Sequence, residues 1–221
     1  MRSIKHIIWD WNGTLFGDSR TLIEATISAF AAAGFPPPTP ELYQRHHTQP
    51  IPLFYNRLAG RELTDSEQRL LDLYFQESYA RYRDEIMLNR LALEALDRWS
   101  LSGGTQSLLS MHPQERLLPL VRKAGIFERF TVVDGLVEGE PGRKAPHLEL
   151  HLRRLPFDRR EVLLIGDSVD DGLAARECGT ACLMYHAGPD ALHDLEHFSD
   201  LPFPVVGSLL EAVDLVLTAS R

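Results

Sequence analysis

Cysteine is scarce in this chain. Cys178 and Cys182 are the only two in 221 residues, and both lie in apolar stretches. That excludes a disulfide-stapled scaffold and favours two buried thiols in a reducing compartment. Long apolar runs are missing as well. None approaches the roughly 20 residues that span a bilayer, and the apolar part of residues 1–8 is too short for a secretion signal. The expectation is a cytoplasmic protein with no membrane partner. Positive charge is also in short supply: 23 Lys and Arg face 31 Asp and Glu, for a formal net charge of −8. Nucleic-acid binders usually carry a basic footprint, so no nucleic-acid partner is expected. Lysine is rarest of the charged types, with only Lys5, Lys123 and Lys144. Internal repeats and low-complexity tails are absent.

What remains is an ordinary globular composition, 44% hydrophobic and 24% charged, long enough for one large domain or a core with an insert. Residues 4–9 read as a buried strand, followed by a sharp turn at Asn12-Gly13. Helical spacing covers 19–33, with Gly34 as a stop. The Pro-rich stretch 35–40 is a rigid loop. Helical signals resume from 40 and around 53–58. A long helix is predicted over 64–87, opened by Thr64-Asp65-Ser66-Glu67. Residues 18–88 therefore contain helix and loop only. Beyond them the texture alternates. Strands are predicted near 105–109, 130–133, 162–165, 181–185 and 204–206. Helices are predicted near 91–99, 113–124, 148–155, 169–178 and 209–217. Such alternation implies right-handed crossovers and a doubly wound, mainly parallel α/β sheet. Its core would be residues 1–17 and 89–221, with an all-helical insert at 18–88.

In a parallel sheet the C-terminal strand ends share one edge. Asp10 ends the first strand, Ser110 follows Ser107-Leu108-Leu109, and Asp167 follows the run 162–165. Lys144 sits in a Gly/Pro-rich loop, 139–146. Carboxylates, a lysine and a hydroxyl on one edge suit a divalent cation and a phosphate. Singly, each has a plain structural reading, as a turn residue, a helix-start acid, a loop lysine or an N-cap. His147 and His151, spaced i, i+4, are expected on an exposed helix face. His46-His47 is expected in a solvated loop, with a group that reaches the substrate from the insert as the alternative.

Taken together, the string Asp10-Trp11-Asn12-Gly13-Thr14-Leu15, then Ser110, Lys144 and Gly166-Asp167-Ser168-Val169-Asp170-Asp171, resembles the four ordered motifs of the haloacid dehalogenase superfamily. The helical stretch 18–88 stands where that family inserts a C1-type cap, as in its phosphoglycolate-phosphatase-like members. The resemblance implies a Rossmann-like core and a Mg²⁺-dependent phosphatase of a small phosphorylated metabolite. Asp10 would be the nucleophile, forming an aspartyl-phosphate that water then hydrolyses. Mg²⁺ would be held by Asp10, the main-chain carbonyl of Asn12 and Asp167, with Asp171 acting directly, through water or by positioning Lys144. Gly13, Thr14, Ser110, Met111 and Lys144 would bind phosphate. Arg45, His46, Gln49, Tyr55 and Arg57 are the cap's candidates for substrate contact. A monomer or homodimer is expected.

One position departs from the family pattern. Its phosphatases carry a second aspartate two residues after the nucleophile, as general acid and base, and Asn12 stands there instead. An amide cannot exchange that proton, a loss that typically costs about 10²–10⁴ in rate. The alternative reading is therefore a weakly catalytic or non-catalytic phospho-ligand-binding protein. With no lysine in the cap, a Schiff-base phosphonate hydrolase is disfavoured. Intact Asp167 and Asp171 argue against a metal-independent dehalogenase, and Asn12 against a phosphomutase.

Overall fold

The computed structural model describes residues 3–48, 50–137 and 142–219. Its sheet has six parallel strands in the order β3-β2-β1-β4-β5-β6, running β1 His6–Trp9, β2 Thr105–Pro113, β3 Val133–Leu136, β4 Val162–Gly166, β5 Ala181–Tyr185 and β6 Val205–Val206. The chain therefore leaves β1 in one direction through β2 and β3, and in the other through β4 to β6. The crevice at that reversal, between the ends of β1 and β4, is where open α/β sheets bind ligands.

Alternation along the strands fills both faces. Ile7, Trp9, Leu108, Leu163 and Ile165 point to one side, where they meet α5 Ala92–Leu101, α6 Gln114–Lys123 and α9 Leu209–Ala219. Ile8, Leu109, Leu164, Cys182 and Met184 point to the other, against α7 Lys144–Arg154 and α8 Val169–Cys178. Both cysteines are free and buried, as expected.

Between β1 and β2 the chain forms α1 Ser19–Ala32, α2 Pro40–His46, α3 Ile51–Ala59 and α4 Asp65–Tyr82. Ile23, Phe30, Tyr43, Phe54, Tyr55 and Leu71 give these helices an apolar cluster of their own, which Leu192 joins from the loop after β5. The start of α4 follows the sequence closely. Thr64 Oγ1 accepts from the Glu67 N–H at 3.3 Å, while Glu67 accepts from the Thr64 N–H at 2.8 Å, a capping box that satisfies two otherwise orphaned donors.

Its end is earlier than the spacing predicts. The helix stops at Tyr82, and the chain passes through a 3₁₀ turn, Arg83–Glu85, before returning to the first strand's loop. There Gly17 N–H donates to Met87 at 2.9 Å and Asn89 N–H to Leu15 at 2.8 Å. These long-range bonds compete with helical ones that local periodicity favours. β3 lies three residues later than expected, and α7 starts four residues earlier, because a proline at 146 is tolerated in a helix's first turn.

Candidate active site

The site begins at Asp10, immediately after β1. Its main-chain N–H donates to Ile165 of β4 at 2.9 Å, which fixes the carboxylate at the crevice. Burial pushes its carboxyl up to about 7, the Lys144 ammonium pulling it down and Asp171 adding to the rise. Lys144 was expected in a loop. It is instead the first residue of α7, 2% exposed, with its ammonium paired to both Asp10 and Asp171. Burial alone disfavours that ammonium, but the two carboxylates outweigh it and hold the proton more firmly than in free lysine. The Lys144 N–H donates to Asp170 at 2.9 Å, tying the start of α7 to the start of α8.

Asp171 closes a capping box at the head of α8: one oxygen accepts from the Ser168 N–H at 2.9 Å and from its hydroxyl at 2.7 Å. With its other oxygen on Lys144, it orients the lysine. Asp167 is different. Thr14 donates to Oδ1 at 3.0 Å, while Oδ2 is buried with no hydrogen-bond partner among the described residues. Burial, then Asp10 and Asp171, raises its carboxyl well above the usual carboxylate range. Gly13, at φ +73°, passes so close that a Cβ there would sit 2.1 Å from that oxygen. Only glycine leaves it room. Asp10, Asp167 and Asp171 bring carboxylate oxygens within 4.8 Å of one another. An orphaned buried oxygen, an all-oxygen donor set and a glycine-cleared cradle fit a hard divalent cation.

A cavity of about 530 Å³ opens above this edge, lined by Asp10, Asn12, Ser110, Met111, Lys144 and Asp167 from the sheet side. Ser110 is buried within β2, its oxygen accepting from the His112 N–H at 3.0 Å. These six positions were anticipated, and the fold gathers them. Gly13 and Thr14 turn elsewhere. Their main-chain N–H groups serve Asp18 and the motif's own turn, and the Thr14 hydroxyl fixes Asp167.

The cap candidates need correction. Tyr55 is buried in the helical cluster, with burial and Asp72 raising its phenol. Arg45 and Arg57 are exposed and His46 is half-buried, and none of them lines this cavity. Gln49 lies outside the described residues. The cavity instead takes His47 and Thr48 from the loop after α2, Ile51 from the start of α3, Phe75, Gln76 and Tyr79 from one face of α4, and Arg83 from the turn after it. His47 is thus a cavity residue, not a solvated one.

Asp18 is the largest omission of the sequence reading. Placed just before α1, it looks like an N-cap, yet its carboxylate makes no cap bond. Fully buried, it accepts from Asn12 Nδ2 at 2.5 Å, Gly13 N–H at 2.9 Å and the Tyr79 hydroxyl at 3.0 Å. Burial pushes its carboxyl up to about 6 against those three donors. Asn89 holds the same loop from the other side, donating to the Gly13 and Thr14 carbonyls at 2.8 and 2.7 Å.

His147 and His151 are buried rather than exposed. His151 joins Ser107 Oγ at 2.6 Å and Asp134 Oδ2 at 2.7 Å, and Ser107 also meets His6 at 2.8 Å. This Ser-His-Asp chain has the spacing of a hydrolytic triad, but Ser107 is 0% exposed. It is an internal polar brace between β1, β2 and α7.

A family model for haloacid dehalogenase-like hydrolases matches residues 4–179. The phosphoglycolate phosphatase of Yersinia pseudotuberculosis is 28% identical over 227 residues, covering 93% of this chain and 94% of its own. Among solved structures, a haloacid dehalogenase-like hydrolase from Streptococcus pneumoniae aligns with a TM-score of 0.82 at 19% identity, over 97% of this chain and 99% of its own. A hydrolase from Pseudomonas syringae aligns at 0.74 and 16% identity, over 100% of both chains. At those identities the two structures speak for the fold.

Proposed function

This chain belongs to the haloacid dehalogenase-like hydrolases, and from that premise we propose that it is a Mg²⁺-dependent phosphatase of a small phosphorylated metabolite, working through an aspartyl-phosphate on Asp10. The observation that carries the reading is the meeting of Asp10, Lys144 and Asp167 in one cavity-lining cluster. An oxygen of Asp10 attacks phosphorus as the bond to the leaving oxygen breaks. Water then attacks the phosphoryl group, and the bond to Asp10 breaks in turn. Lys144 orients Asp10, favours its ionised form and balances phosphoryl charge, while the Ser110 hydroxyl and the chain at Met111 receive phosphoryl oxygens. Asp10, the Asn12 carbonyl and Asp167 would hold the cation, with Asp171 behind Lys144. When bound, Mg²⁺ would offset the crowded negative charge of carboxylates and phosphate.

Residues 18–88 act as the cap in this reading, over a core of 1–17 and 89–221. Arg83 from the cap side and Arg116 from α6 line the cavity, and both bear on His112, which burial, then Arg116 and Arg83, hold at about 4. That positive rim suits a substrate with a second negative group, in keeping with the phosphoglycolate handled by the Yersinia relative.

Asn12 favours a second reading, a phospho-ligand-binding protein, since its amide is committed to Asp18 and has no proton to give. Phosphate release from an aryl phosphate and from a panel of phosphorylated metabolites, with and without Mg²⁺, separates the two. A phosphatase hydrolyses the aryl ester in a Mg²⁺-dependent way and loses that activity in Asp10→Asn. Absence of release from every compound would leave the binding reading in its place.

A further inference from the structure

A row of histidines starts at the cavity that holds Asp10. His47 follows α2 in the cap, and His193 lies in the core loop after β5; both line the cavity that holds Asp10 and Asn12. His47 Nδ1 meets His193 Nε2 at 3.2 Å, and His193 Nδ1 meets His197 Nδ1 at 3.3 Å. His193 therefore spends both ring nitrogens on other imidazoles. Two sets of tautomers satisfy the row, and in one of them His47 donates to His193, which donates to His197. The row runs from the cavity through buried His193 to half-buried His197, at the protein surface.

Its geometry is fixed from several sides. Tyr43 stacks on the His47 ring at 5.2 Å, and Phe54 meets its edge at 5.0 Å. Gln44 donates across the cap–core contact to Pro189 at 3.1 Å and Ala191 at 2.8 Å, and Asp194 N–H donates back to Gln44 at 3.2 Å. His186 Nε2 braces the His193 carbonyl at 3.2 Å. Burial, then His197, lowers His47 to about 4, and burial, then His47, His197 and His186, lowers His193 well below the usual histidine value. Near neutral pH the rings of His47 and His193 are uncharged.

We propose that His47 takes the proton from the water that hydrolyses the aspartyl-phosphate, the step for which Asn12 has no base, and that His193 and His197 carry it to the surface. This rests on the phosphatase reading. The water oxygen forms its bond to phosphorus as the phosphorus–Asp10 bond breaks, its electron pair returning to the carboxylate. The water proton goes to His47 Nε2, the Nδ1 proton passes to His193 Nε2, and the His193 Nδ1 proton passes to His197. No other reactant is needed. His47 is the catalytic residue, and His193 and His197 act through it.

The test uses 4-nitrophenyl phosphate with Mg²⁺ and rapid mixing. His47→Gln should retain a first burst of about one nitrophenol per active site, while steady turnover falls by about 10²–10⁴, the usual contribution of a general base. His47→Ala should behave alike and regain turnover with added imidazole, in proportion to the unprotonated form. His193→Gln should lose turnover less, and the deficit should close as buffer concentration rises. Wild-type steady turnover in His47→Gln would overturn the proposal. So would loss of burst and turnover together with no imidazole rescue of His47→Ala, which would make His47 only a cap latch. No nitrophenol from the wild type, or full activity in Asp10→Asn, would instead overturn the phosphatase reading on which it stands.

Discussion

Acid should destabilise this protein through its interior histidines, and His6 offers the cleanest measurement. Its ring is 0% exposed, bonded to Thr105 Oγ1 at 2.7 Å and Ser107 Oγ at 2.8 Å. Burial, then the charge of His151, lowers it from an ordinary 6.5 to about 4. A histidine held below its unfolded value is neutral in the fold and protonates first in the unfolded chain. Its stabilising contribution is therefore complete above about pH 6.5 and is lost as pH falls towards 4. The full gap corresponds to about 3 kcal/mol, of which about 2 kcal/mol is gone by pH 5. His6→Gln keeps a polar group in the brace but removes the titration. With a urea slope of about 2–3 kcal/mol per molar, the wild-type midpoint should drop between pH 7.5 and pH 5 by about 0.7–1 M more than that of His6→Gln. Equal drops would refute the account and mean that His6 is already charged in the fold.

Legibility in the sequence follows the range of the interactions involved. α8 and β5 are readable to the residue, because a Ser-x-x-Asp start, a glycine stop and a five-residue apolar run are local signals. Asp10 and Asp167 are readable because parallel strands deliver their C-terminal ends to one edge, which Ser110, within β2, and Lys144, at the head of α7, also line. What escaped depends on side-chain direction. Asp18 stands just before α1, and only the return of Asn12 and Tyr79 turns its carboxylate inward. Tyr55 and His47 are both polar aromatics near prolines, but α3 turns Tyr55 into the apolar cluster of the inserted helices, while His47, in the loop after α2, lines the cavity. The buried pair His147 and His151 was misread for a related reason. Polar residues at i, i+4 look like a solvent face unless their partners, here Ser107 and Asp134 for His151, come from distant strands.

Three substitutions probe the site directly. Lys144→Met removes the cation paired with Asp10 and Asp171 and should cost about 3–5 kcal/mol of stability as well as turnover, since it leaves buried carboxylates uncompensated; an unchanged urea midpoint would contradict the pairing. Gly13→Ala forces a Cβ against Asp167 at a φ of +73° and should weaken Mg²⁺ dependence and lower the melting temperature together, measured by phosphate release across a Mg²⁺ titration and by thermal scanning. Asn12→Asp should raise turnover of alkyl phosphates by up to about 10²–10⁴ while changing aryl phosphates little, because only the alkoxide needs a proton as it leaves. The magnitude has a structural source. Asn12 Nδ2 lies 2.5 Å from Asp18 Oδ2, so an aspartate there faces a second buried carboxylate, and the pair must share a proton beside the leaving oxygen. Adding Asp18→Asn to Asn12→Asp should then remove most of the gain. If alkyl-phosphate turnover stays flat in Asn12→Asp, the missing carboxyl at position 12 is not what limits this enzyme.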